Sequence, residues 1–165
     1  MTPETFYFED DGSIPNSNLP LLLYRRAFSD RGNAGAEWLE RTFANNNWTN
    51  SWRNGVYPFH HYHSTSHEVL GIYSGKAKLH LGGEQGEKLD VEAGDIIVIP
   101  AGVGHKNLSS ENLGVVGAYP NGSSYDLLRG EPDDRPEAIE NIKAVPLPSR
   151  DPLLGKEGGL LEIWE

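Results

Sequence analysis

Ile96, Ile97, Val98 and Ile99 form an unbroken apolar run, closed by Gly94 on one side and Pro100 on the other. A strand with one wet face alternates polar and apolar residues, so a run that is apolar at every position needs cover on both faces. Gly and Pro then fix its ends. The run predicts a central strand in a layered β protein. Around it, 19 Gly and 11 Pro are spread between short apolar stretches. These stretches are candidate strands at 5–8, 21–27, 56–63, 68–73, 76–81, 87–91, 95–99, 105–108 and 115–119. Many short strands punctuated by turn residues are the pattern of a sandwich or barrel. Residues 76–81, Lys-Ala-Lys-Leu-His-Leu, alternate strictly and end at Gly82-Gly83, so one face meets the core and the other water.

Two short helices flank this all-β core. One lies around 36–44, where Trp38, Leu39 and Phe43 share a face; the other lies around 136–145. For the second, Asp134 is the expected cap, Pro136 falls in the first turn, and Ile139 and Ile142 are three apart. Residues 146–159 read as loop, and 160–164 as a last edge strand. No internal repeat is visible, and 165 residues suit one domain, 1–165, with an N-terminal part at 1–54 and a C-terminal helix and tail at 126–165.

The formal charge of −10 opposes phosphate backbones and anionic lipid, so neither nucleic acid nor membrane is an expected partner. There is no basic leader, and Leu21-Leu22-Leu23 is far too short for a span, which gives a cytoplasmic expectation. The chain contains no cysteine, so any metal must be held by nitrogen and oxygen.

Five of the six histidines fall in two places: His60, His61, His63 and His67, then His105. Residues at i and i+2 on a strand share a side, so His61 and His63 can face a barrel interior together while His60 and Tyr62 face away. A turn through Ser64, Thr65 and Ser66 brings the Glu68 carboxylate to the same point, and the loop 100–104 presents His105. Imidazoles with one carboxylate suit divalent Fe, Mn, Ni, Zn or Co. His60, His67 and His80 are read as structural or exposed.

The spacing Gly55-x5-His61-x-His63-x4-Glu68-x6-Gly75, followed by Gly94-x5-Pro100-x-Gly102-x2-His105, resembles the paired signatures of the cupin superfamily across 55–109. One fixed position departs: Ser109 stands where the family has asparagine, and Asn107 is out of phase. The phrase from His60 to Gly83, with Trp48 and Trp52 upstream, is similar to the YjlB-type bacterial cupins. The resemblance implies a double-stranded β-helix, or jelly-roll barrel, with one divalent ion on His61, His63, Glu68 and His105. It implies a metal-dependent enzyme acting on a small oxygen-rich metabolite by dioxygenase, decarboxylase or isomerase chemistry. The alternative is a non-catalytic small-molecule binder or sensor in which the metal is structural or aids ligand recognition. It also implies a homodimer, consistent with outward aromatics such as Tyr7 and Phe8.

Trp48, Trp52, Tyr57, Phe59, Tyr62, Tyr73 and Tyr119 are candidates for a pocket at the barrel mouth. Tyr57 and Phe59 are in phase with His61, and Tyr62 is not. Tyr57 is the catalytic candidate, ahead of Glu92.

Overall fold

The computed structural model describes all 165 residues, Met1–Glu165. Its elements are β1 (Glu4–Phe8), β2 (Ser17–Tyr24), α1 (Gly32–Asn45), β3 (Trp48–Asn54), β4 (Glu68–Leu81), β5 (Glu87–Glu92), β6 (Ile96–Ile99), β7 (His105–Pro120), α2 (Arg135–Ala144) and α3 (Leu160–Ile163). The strands follow the order β1-β2-β6-β4-β7-β3, with β5 added to β4, and the pairings are antiparallel. This is the expected jelly-roll arrangement with short flanking helices. No helix is long and apolar enough to cross a membrane.

The apolar run is β6, and it is central, lying between β2 and β4. Its two faces enter different cores. Ile97 and Ile99 join Leu21, Leu23, Leu70, Leu79 and Val115 inside the barrel. Ile96 and Val98 join Leu22, Val69, Leu39, Phe43 and Trp164 on the outside, where α1 and the C-terminal segment cover the sheet. α1 presents Gly35, Ala36, Leu39 and Phe43 to that outer core, at the three- and four-residue spacing of one helical face.

β4 and β7 form one long ribbon, in which Val69 pairs with Ala118 at one end and Leu81 with His105 at the other. A straight strand as long as β4 would span about 43 Å. The ribbon is instead bent, with register shifts between Ile72 and Ser74, Ser74 and Lys76, and Lys78 and Leu79. Gly75 sits at this bend with φ 70°, and a Cβ there would meet the Glu111 carbonyl oxygen at 2.1 Å, so no other residue fits without rearrangement. The ribbon curls until its ends meet: Glu68, which opens β4, lies 3.2 Å from the Nε2 of His105, which opens β7.

Several expectations need correction. Residues 56–63 do not form a strand; Pro58 cannot donate to a ladder, and only His61 and Tyr62 make isolated bridges, to His105 and Leu128. The strand lies upstream as β3, where a register shift between Thr49 and Trp52 disrupts the alternation and Asn50 takes φ 59°. The stretches 68–73 and 76–81 are one strand, as are 105–108 and 115–119. Residues 160–164 do not make an edge strand: Leu160–Ile163 is a helical turn. Trp164 follows it into the outer core and donates from Nε1 to the Pro20 carbonyl at 2.9 Å. Asp134 does not cap α2 by its side chain, because its backbone is already helical in a 3₁₀ turn, Pro132–Asp134, that runs into the helix. Phe8 is no outward aromatic, since it packs against the inner core; Tyr7 is exposed.

Candidate metal centre

The closed ends of the ribbon hold two of the four expected ligands, and the segment between β3 and β4 brings the others. His61 is pinned to His105 by reciprocal backbone hydrogen bonds of 3.2 and 2.9 Å. The next residue, Tyr62, makes the same exchange with Leu128 at 2.9 and 3.0 Å. The loop before His105 is held from below: Gly102 has φ 96°, its amide donates to the His63 carbonyl at 2.8 Å, and a Cβ there would strike the Asn16 carbonyl at 2.3 Å. The site loop and the histidine segment are thereby locked together.

His61, His63 and His105 are buried, with nitrogen atoms all within 4.8 Å of one another, and this group could hold a metal ion. Glu68 Oε1 lies 3.4 Å from His63 Nε2 and 3.2 Å from His105 Nε2. Each imidazole is oriented through its other nitrogen by a main-chain carbonyl. His61 Nδ1 meets Phe59 O at 2.9 Å, His105 Nδ1 meets Val103 O at 3.2 Å, and His63 Nδ1 bonds the Asp126 carbonyl. A carbonyl only accepts, so each Nδ1 carries a proton and leaves Nε2 as the nitrogen free for a ligand, with those of His63 and His105 turned toward Glu68. The carboxylate is fixed in turn: Tyr119 donates its hydroxyl to Glu68 Oε2 at 2.8 Å, and Trp52 Nε1 donates to Tyr119 Oη at 2.7 Å. Glu68 Oε1 is left buried without a hydrogen-bond partner. Three imidazole nitrogens thus lie together, two of them against a carboxylate oxygen that no other group satisfies, an arrangement that a cation completes when the rings are unprotonated.

The electrostatics agree. Burial, aided by His105, pushes His61 down to about 3, so that ring is neutral. Burial also acts to lower His63, but the Glu68 carboxylate outweighs it and holds His63 above the ordinary histidine range. Glu68 is held below the usual carboxylate range because its contacts with His63 and His105 overcome its burial. Burial and the Glu68 charge push the Tyr119 hydroxyl far up, which keeps it a donor.

The quartet opens on a cavity of about 340 Å³ lined by Trp52, Val56, Tyr57, Leu70, Tyr119, Tyr125 and Leu127 among others. Of the aromatic candidates, Trp52, Tyr57 and Tyr119 line it. Phe59 backs Tyr57, stacked at 5.0 Å. Tyr62 is buried outside the barrel with Ile14 and Ala138, as its phase predicted, and Trp48 and Tyr73 belong to the outer core. Glu92 is exposed on β5 and outside the lining. The reading from sequence did not reach Asp126, which fixes His63 and receives Ser64 N–H at 2.6 Å, or Tyr125 and Leu127. Their stretch, 121–130, has no periodic signal.

The Cupin domain family pattern matches residues 53–114, the stretch that contains the whole quartet. Across 163 residues the chain is 47% identical to the uncharacterized protein YjlB of Bacillus subtilis (strain 168), covering 98% of this chain and 96% of that one. The chain belongs to the cupins. Among solved structures, this cupin is similar to acireductone dioxygenase from Bacillus anthracis with a cadmium ion in its active centre, at 14% identity and TM-score 0.44, covering 64% of this chain and 80% of that one. It is also similar to a mutant of Bacillus subtilis oxalate decarboxylase, at 18% identity and TM-score 0.39, covering 71% of this chain and 29% of that one.

The remaining histidines have other surroundings. His67 is buried, accepts the Ala101 amide on Nδ1 at 2.9 Å and packs on Trp164 with ring centroids 4.8 Å apart. Burial lowers it to about 4, so it stays neutral. His80 is buried beneath His60, and His60 Nε2 meets Glu84 Oε2 at 2.7 Å.

Proposed function

We propose that this cupin is a mononuclear metal-dependent enzyme acting on a small oxygen-rich metabolite, with His61, His63, Glu68 and His105 as the ligands. The observation that carries this reading is the buried convergence of three imidazoles, two of them against a carboxylate oxygen that lacks a hydrogen-bond partner, in the lining of a cavity. The donor set suits divalent Fe, Mn, Ni, Zn or Co. A bound ion would supply Lewis acidity, or electron transfer where it is redox-active, to a ligand chelating it through adjacent oxygens.

The chain's own contribution is positioning. The carbonyls of Phe59, Val103 and Asp126 fix the ring tautomers, and Tyr119 fixes Glu68. Val56 and Leu70 make one part of the cavity wall apolar. Tyr57 and Tyr125, both partly exposed at the lining, carry the hydroxyls that can hand a proton to or from a bound ligand.

Elemental analysis of protein purified without chelator or metal-affinity resin tests the site. About one equivalent of a divalent metal, lost in His61→Ala and Glu68→Ala, is the expected result. Metal-free protein that also refuses added metal would overturn it. Turnover is tested by screening chelating oxo-acids and diols with Fe-, Mn-, Ni- and Zn-loaded protein.

A second reading, a ligand-binding cupin without catalysis, is favoured by one feature: apart from the quartet, tyrosines alone among the lining side chains can serve as acid or base. Thermal stabilisation by ligands without turnover would select it. A homodimer belongs to the same proposal, resting on the exposed Tyr7 of edge strand β1. Light scattering that gives a monomer would overturn that part.

A further inference from the structure

The geometry points to a planar, weakly charged ligand: a compact ring chelator with two adjacent oxygens and at most one negative charge, such as an ortho-dihydroxy aromatic or a cyclic hydroxyketone. This deepens the metal reading above and rests on it. The first observation is the charge of the wall. No lysine or arginine lines the cavity. The two arginines nearest in sequence to lining residues do not enter it: Arg53 grips the Glu40 carboxylate with bonds of 3.0 and 2.7 Å, and Arg129 lies over the Phe59 ring that backs Tyr57, 3.7 Å from its centroid. A divalent ion held by neutral imidazoles and one carboxylate keeps a single positive charge, which one ligand anion cancels. A dicarboxylate or phosphorylated ligand would bury a second negative charge with no partner, beside a protein whose overall charge is already −10.

The second observation is the shape and chemistry of the mouth. Tyr57 meets His61 edge-on with ring centroids 5.3 Å apart, and Tyr125 meets His63 edge-on at 5.2 Å. Each is braced by a second ring stacked on it, Phe59 on Tyr57 at 5.0 Å and Tyr119 on Tyr125 at 4.2 Å. Two rigid aromatic side chains therefore flank the imidazoles. Tyr57, Tyr125 and Leu127 are 53%, 44% and 42% exposed, so three large apolar side chains are left open at one place beside a polar floor. That is the surface of a slot for a flat apolar body whose oxygens face inward. A volume of about 340 Å³, at the lower end for small-molecule sites, suits a compact body.

The test uses Ni- or Zn-loaded protein of measured metal content and isothermal calorimetry. Tropolone and 4-methylcatechol serve as flat, weakly charged probes, and oxalate and malonate as compact dianions. Each affinity is divided by the affinity of the same probe for the free aqueous ion, which removes its intrinsic chelating strength. The flat probes are expected to gain at least about tenfold over the dianions. Tyr57→Ala and Tyr125→Ala are each expected to weaken tropolone by about threefold to tenfold, more than they weaken oxalate, while leaving metal content unchanged. Dianions preferred after this correction, or tropolone unaffected by both variants, would overturn the inference while leaving the metal reading intact. Protein that takes up no metal would overturn the metal reading and the chelation with it, leaving the flat slot as the part still to be tested. The slot is then read by 4-methylcatechol binding to the metal-free protein, and it fails if that binding is absent or is unchanged in the double variant Tyr57→Ala, Tyr125→Ala.

Discussion

His60 and His61 are adjacent, yet each belongs to a cluster of histidines with a glutamate, and the two clusters differ in kind. Around His61 the rings are buried, every Nδ1 is tied to a main-chain carbonyl, and the carboxylate oxygen they face has no donor. Around His60, the ligand-type atoms of His60, His80 and Glu84 also lie within 4.8 Å of one another. There, however, His60 Nε2 already meets Glu84, that carboxylate is largely exposed, and the strand neighbours of His80 are Lys88 and Lys106. Spacing can gather the right side chains. A cation is called for only where the lone pairs are fixed, buried and left without another partner.

The largest expected effect breaks the comparison outright. His61→Ala, His105→Ala or Glu68→Ala should reduce the metal content from about one equivalent to below about a tenth, whereas His60→Ala, His80→Ala and Glu84→Ala should leave it unchanged by elemental analysis. Loss of metal in the second set would show that the two clusters act as one site.

Proton competition sharpens the contrast. Because the Glu68 carboxylate holds His63 above the ordinary histidine range, a proton competes with metal at His63 up to a higher pH than at a free imidazole and must leave when metal binds. Metal affinity is therefore expected to be full above the raised His63 pKa. As pH falls through that value it should drop about tenfold per unit, with about one proton released per ion. Calorimetry in buffers of different ionisation enthalpy counts that proton. Binding that persists unweakened below pH 5 would argue against a histidine site.

A smaller effect is expected one step out. Tyr119→Phe removes the hydrogen bond to Glu68 Oε2 and should weaken metal binding by about tenfold to 100-fold, with Trp52→Phe weaker than that. Competition against a fluorescent chelator measures both. The smallest belongs to the other cluster: Glu84→Gln should change unfolding free energy by no more than about 0.5 kcal/mol, read from urea denaturation.

The quartet was legible because its spacing is carried by residue types that are costly to bury without a role. Its orientation was not, since the atoms that fix the imidazoles are carbonyls of Phe59, Val103 and Asp126, and a carbonyl leaves no mark in a sequence. Central strand β6 was legible from four apolar residues between Gly94 and Pro100. β3 was not, because a run reading Trp-Thr-Asn-Ser-Trp-Arg-Asn is mostly polar and its pairing shifts register between Thr49 and Trp52. The strand through Ser109–Ser110–Glu111 was hidden in the same way: these exposed polar residues pair with Lys78, Ala77 and Lys76 and continue β7 without any apolar signal. The tail was misread because its anchor is a side chain far from it in character. Asp151 accepts the Tyr24 hydroxyl at 2.6 Å and the Leu160 amide at 3.0 Å, which fixes the start of α3.

The curled β4–β7 ribbon gives the site a place in time as well as in space. Val69 pairs with Ala118 and Leu81 with His105 at opposite ends of the ribbon, and Glu68 meets His105 only when the whole length has wrapped round. Contacts of that separation are made after the chain entropy of closing the hoop has been overcome, late in folding. An ion at the seam would be a clasp fastened last. It would leave the rate of folding almost untouched and lengthen the lifetime of the closed barrel, so that a chelator shortens the protein's survival before it changes how fast the protein forms.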